Sequence, residues 1–131
     1  MTDNNSNKTN ITDNNMSISD GGQQERFNEI LTALADTHRR YVLYYLQDEE
    51  QASLTETAKH VAAWKQDCPP TEIQDKRIEN FEIQLYHNHL PLLEEMCLVE
   101  YDDRSEQLVF RDPPELVDLC LDHCTDQDLH S

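Results

Sequence analysis

The side chains from 76 to 88 hold much of this chain's capacity for polar recognition. Lys76, Arg77, Asn80, Gln84, His87 and Asn88 fall in one stretch, and Arg104 and Arg111 add two guanidinium groups further on. Groups of these types donate to phosphate oxygens and to the edges of nucleic-acid bases. The same stretch also carries Asp75, Glu79, Glu82, Glu94 and Glu95, and Asp102, Asp103 and Glu106 crowd Arg104. A solvated helix face is therefore the plain alternative.

Metal chemistry has two candidate half-sites. His87 and His89 form His-x-His, but residues two apart on a helix point about 200° apart, so His89 is expected to pack inward. Cys120, His123 and Cys124 are better placed, because the two cysteines share a helix face, yet a zinc site wants four ligands and no convincing second pair accompanies them. No metal and no cofactor are expected. The chain has two glycines, Gly21 and Gly22, both near its start. It therefore offers neither a phosphate-cradling loop nor a nucleophile elbow, and an enzyme is the least expected class.

Charge pulls against a nucleic-acid reading. There are 27 Asp and Glu against 10 Lys and Arg, a formal net charge of -17, whereas affinity for DNA comes largely from Lys and Arg displacing condensed cations. The acidic residues are spread through every segment, a balance expected of cytosolic proteins from salt-accumulating halophiles. At molar salt the screening length falls to ~3 Å, which suppresses the self-repulsion of such a surface.

The elements that must position these groups follow from spacing. Residues 1–25 are Asn-rich and nearly devoid of apolar side chains, and are expected to form a flexible tail. No basic start followed by an apolar stretch marks a leader and no run is long enough to span a bilayer, so a cytoplasmic location is expected. Residues 26–124 are expected to form one domain, and 125–131 a flexible end. Phe27, Ile30, Leu31 and Leu34 form a helical stripe, and Asp36 can cap a second helix through the run YVLYYL. Ser53 and Glu56 make a capping box for a third, and Thr71 and Gln74 repeat the signature for a long element to Met96, bent at Pro91. Leu98–Tyr101 and Gln107–Arg111 read as a hairpin. Asp112 and Pro113 should open a closing helix, whose stripe Val117, Cys120, Leu121 and Cys124 is assigned to a dimer interface, with packing back on the first helix of its own subunit as the alternative. Cys68, Cys97, Cys120 and Cys124 are irregularly spaced and expected to be reduced thiols.

The segments LTALADTHRRYVLYYL, LTETAKHVAAW and LYHNHLPLLEEMCLVEYD resemble the winged-helix domains of uncharacterised haloarchaeal regulators over roughly residues 27–111. The stretch HLPLLEEMCLVEYD more distantly resembles ArsR-type repressors. The resemblance implies a mainly α fold with a small β-hairpin, the winged helix-turn-helix. It also implies a DNA-binding regulator that is often dimeric. Its recognition surface would comprise Lys76, Arg77, Asn80, Gln84, His87, Asn88, Arg104 and Arg111. A protein-interaction module that excludes DNA is the competing expectation. Two departures stand out: Cys97 where such domains place Gly, and Thr37-His38 where they often have Pro before the paired arginines. The Cys-x-Cys of ArsR-type metal sensors is absent.

Overall fold

The computed structural model describes residues 15–129. The chain divides into two units, residues 1–32 and residues 33–131. Helix α1 (Asn15–Leu34) makes up the described part of the first and its last two residues belong to the second. It begins at Asn15 rather than at Arg26, inside the stretch expected to be a tail, and residues 1–14 of that expected tail lie outside the described residues. Gly21 and Gly22 lie inside this helix, where each costs only about 1 kcal/mol.

The second unit runs α2 (Thr37–Glu49), β1 (Gln51–Ser53), α3 (Leu54–Gln66), a 3-10 turn (Pro70–Glu72) and α4 (Asp75–Gln84). A π-turn (Leu85–His89), α5 (Leu90–Glu95), β2 (Val99–Asp102), β3 (Gln107–Phe110) and α6 (Glu115–Leu129) follow. The three short strands form one antiparallel sheet in the order β1-β3-β2, with Ala52 opposite Leu108 and Tyr101 opposite Leu108 across the two ladders. This is the winged helix-turn-helix: α2, β1, α3, the α4–α5 rod, and the β2–β3 wing. The core gathers Leu43, Leu46, Val61, Leu85, Leu90, Leu93, Leu98 and Leu108, all essentially inaccessible to solvent.

Local chemistry sets most boundaries. Asp36 caps α2 by accepting from the amides of His38 and Arg39, and Ser53 caps α3 by accepting from the amide of Glu56. Helix α3 ends on Asp67 in the left-handed region, with the Cys68 amide bonded to the Ala63 carbonyl and that of Asp67 to Trp64, a Schellman closure. The α5 end repeats it: Cys97 has φ 61°, its amide reaches Glu94, and the Leu98 amide reaches Leu93. The position usually held by Gly thus keeps its left-handed geometry with a Cβ present. Strand β1 was not read from the sequence. QAS carries no alternating apolar signal, and its order comes from pairing with β3.

The rod differs from expectation at its start. Thr71 does not cap it; Pro70 instead nucleates the 3-10 turn, Ile73 and Gln74 are extended, and α4 begins at Asp75. Ile73 is buried in that extended form. Pro91 neither breaks nor sharply ends the rod. The Leu90 amide reaches back five residues to the Leu85 carbonyl, and this wider turn gives room for the proline ring, which clashes with a carbonyl four residues back in a regular helix.

The closing helix also departs from the reading. It starts at Glu115 rather than being capped by Asp112, with the Pro114 carbonyl accepting from Val117 and Asp118. It runs to Leu129, so residues 125–129 belong to the fold. Asp128 accepts from Arg40 Nε at 2.7 Å and from the Tyr44 hydroxyl at 2.6 Å. Arg40 therefore pairs with Asp128, 88 residues further along the chain. Val117 and Leu121, assigned to a dimer interface, are fully buried within the single chain, and α6 packs on α2. Cys120 and Cys124 of the same stripe are half-buried, and Leu119, on the other side of α6, is exposed.

Candidate nucleic-acid interface

Helix α4 seats Ile78 and Phe81 in the core, and Leu85 continues the seam into the π-turn. At about 100° per residue, Arg77, Asn80 and Gln84 fall to one side of that seam, while Asp75, Glu79 and Glu82 fall to the other. Lys76 and Ile83 ride the outer crest between them. Donors and carboxylates that alternate in sequence are thus separated in space.

Two grooves flank the helix and carry the same division. The first, of about 250 Å³, is lined by Arg77, Asn80, Phe81 and Gln84 from α4 with His38 and Lys65. No carboxylate lines it. The second is lined by Glu79, Glu82, Ile83, Tyr86 and His87 with Leu54. There Thr55 donates to Glu82 at 2.6 Å, and Tyr86 stands edge-on to Tyr101 of the wing at 5.7 Å.

The eight residues expected to meet DNA are all exposed, but the fold does not bring them into one set. Arg77, Asn80 and Gln84 lie together, with Lys76 on the adjoining crest. His87 lines the opposite groove beside Glu79 and Glu82. Asn88 is exposed on the π-turn. Arg104 sits at the tip of the wing, where Asp102 organises the loop: its carboxylate accepts from the Arg104 amide at 3.3 Å and from the Ser105 hydroxyl at 2.7 Å. These bonds, led by the one from Ser105, hold the Asp102 carboxyl below its usual value. Arg111 faces Glu100 at 3.6 Å, an exposed pair of the kind that contributes ~0–1 kcal/mol. Lys65 is a residue the sequence reading missed. It ends a helix that reads only as scaffold, and the fold alone carries it to the Arg77 groove.

Behind the first groove lies a half-buried polar cluster. His38 meets Phe81 edge-on at 5.4 Å and His89 at 5.9 Å. Arg39 Nη1 lies 3.3 Å from His89 Nδ1, and its Nε donates to the Ala33 carbonyl at 2.7 Å. Burial pushes both imidazoles below their ordinary range, opposed by the Asp36 charge. Burial alone would raise the Asp36 carboxyl, but the amide of Arg39, the neighbouring His89 and Arg39 charges and the amide of His38 outweigh it and hold it low. His89 is buried as its spacing predicts, while His87 is exposed.

A helix with one donor-lined flank, preceded by a supporting helix and followed by a β-wing, defines the class as a winged helix-turn-helix domain. Residues 31–109 match the DUF7344 domain of unknown function, and the chain belongs to that family. The matched span covers α2 through β3 and leaves most of α1 and all of α6 outside it. No curated protein and no solved structure matches the chain. Among the described residues no helix is long and apolar enough to cross a membrane.

Proposed function

We propose that the protein is a DNA-binding transcriptional regulator of winged-helix type, adapted to high salt, which meets duplex DNA through the Arg77 flank of α4 and the wing tip. The observation that carries this reading is the segregation of Arg77, Asn80 and Gln84, with Lys65, into a groove that no carboxylate lines. In winged helices the exposed side of this rod enters the major groove and the wing approaches the backbone. Guanidinium and carboxamide groups at that position match guanine and adenine edges respectively. The resemblance to haloarchaeal regulators points the same way.

The overall acidity is compatible with this role in molar salt, where carboxylate–phosphate repulsion is screened and bound cations can bridge the two. Binding to native genomic fragments in molar KCl is the test, repeated with Arg77→Glu and Arg104→Glu. Loss of a sequence-specific complex in Arg77→Glu supports the reading. Absence of any complex with the unaltered protein, at every salt concentration, refutes it.

A second reading rests on the other groove. Ile83 and Tyr86 are 58% and 44% exposed beside Glu79 and Glu82, which suits an apolar, basic protein segment. In that case Tyr86→Ala removes a protein partner and Arg77→Glu has no effect.

A further inference from the structure

Three side chains behind the rod form a cluster, of which His38 alone also lines the Arg77 groove. Asp36 caps α2, His38 stands in its first turn, and His89 closes the π-turn. One ligand atom from each lies within 4.8 Å of the other two. His38 Nδ1 is 3.9 Å from Asp36 Oδ1, while His38 Nε2 is buried without a hydrogen-bond partner. Buried polar atoms in folded chains are nearly always paired, so an orphan imidazole nitrogen marks a place for an ion or a water. Two imidazoles and a carboxylate form the three-ligand set that holds zinc, or a neighbouring transition metal, with one position left to solvent.

We propose that Asp36, His38 and His89 bind one divalent transition-metal ion of zinc-like ligand preference. Asp36 Oδ1 already accepts from the amides of His38 and Arg39 at 2.8 and 3.3 Å. A carboxylate has a second oxygen to offer, and such amide bonds orient a ligand without occupying it. Metal–ligand bonds of ~2.0–2.2 Å require the three groups to draw together; small side-chain rotations at the start of α2 and on the π-turn supply this. Arg39 is the local competitor, since its guanidinium stands 3.3 Å from His89 Nδ1. An ion taking that nitrogen displaces it. The bound ion joins the π-turn to the beginning of α2, two elements otherwise held here by packing and by the Arg39–His89 contact.

The full chain, stripped with chelator, is titrated with Zn²⁺ by calorimetry and with Co²⁺ by visible absorbance, in the absence of DNA, so the result stands apart from the DNA reading. One equivalent is expected. Asp36→Asn and His89→Gln should each weaken affinity at least ~10-fold, the lower end of the effect of merely disturbing a ligand's support. Asn remains a good helix cap, so a loss in Asp36→Asn reports ligation and not a frayed α2; far-UV circular dichroism checks both folds. Arg39→Gln removes the competing cation and should tighten binding. No uptake by the unaltered protein overturns the proposal. So does equal uptake by Asp36→Asn and His89→Gln, which would place the ion on other histidines or cysteines.

Discussion

Replacing Asp128 with alanine removes three hydrogen bonds at once. Asp128 Oδ2 accepts from Arg40 Nε and from the Tyr44 hydroxyl, and Oδ1 accepts from Arg40 Nη2 at 3.1 Å. The Arg40 and Asp128 side chains retain 16% and 10% of their exposure, so the pair is better shielded than a surface ion pair. Exposed pairs contribute ~0–1 kcal/mol, and breaking a buried one costs ~3–5 kcal/mol. Arg40 keeps its bonds to the Leu34 carbonyl and Thr37 hydroxyl, which places Asp128→Ala at about 2–3 kcal/mol. For a domain of this size 1 kcal/mol moves the melting midpoint by roughly 3–6 °C, so a fall of about 10 °C is expected. Tyr44→Phe leaves the ion pair intact and should cost about 1 kcal/mol. Thermal unfolding followed by circular dichroism in molar KCl measures both. A midpoint for Asp128→Ala within about 2 °C of the unaltered protein, under 1 kcal/mol on the same scale, would refute the docking of α6 through its last turns. The pH dependence carries a sign: the Arg40 hydrogen bonds, joined by that from Tyr44, hold the Asp128 carboxyl below its usual value. Its contribution is therefore complete above the unfolded value near ~3.9 and is lost as pH falls through the lower folded value. Below about pH 4 the gap between the unaltered protein and Asp128→Ala should narrow.

Cys97→Gly should stabilise the domain by about 0.5–1 kcal/mol, because Cys97 carries a Cβ at φ 61° in a left-handed closure; denaturant midpoints decide it, and a loss of stability would mean the thiol makes a compensating contact. Ser53→Ala should cost about 1 kcal/mol by removing the cap on α3. Thr71→Ala, at the cap that the fold does not use, should leave the midpoint nearly unchanged. Affinity for DNA should stay flat or rise with added KCl if bound cations bridge carboxylates to phosphates; a steep fall, near ~0.9 log units per phosphate contact, would contradict that bridging.

Much of the fold is legible because its boundaries rest on local chemistry. Asp36 and Ser53 act as caps in the structure as in the sequence, the wing strands fall where β-rich stretches flank DDRSE, and Cys97 takes the backbone geometry its position requires. What was illegible depends on partners distant in sequence. Strand β1 is ordered by β3, the last turns of α6 by Arg40 and Tyr44, and the π-turn by the room Pro91 needs within an otherwise continuous rod. Thr71 looked like a cap because Ser/Thr-x-x-Gln is a two-residue signature, whereas Pro69-Pro70 had already fixed the backbone.

The candidate site was half legible. Arg77, Asn80 and Gln84 were identified, yet reading α4 as a list of charges hid their separation from Asp75, Glu79 and Glu82. The positions of these residues around the helix contain that separation, and the two grooves display it. Lys65 and the Asp36–His38–His89 cluster required the fold, since each joins segments that no spacing rule connects.

The most direct measurement is photo-crosslinking to DNA from a photoreactive side chain placed at Asn80 or, in a separate protein, at Glu79. These neighbours point to opposite flanks of α4. In molar KCl with native genomic fragments, the probe at position 80 should capture DNA and the probe at 79 should not. Capture from 79 alone, or from neither, would contradict recognition through the Arg77 flank.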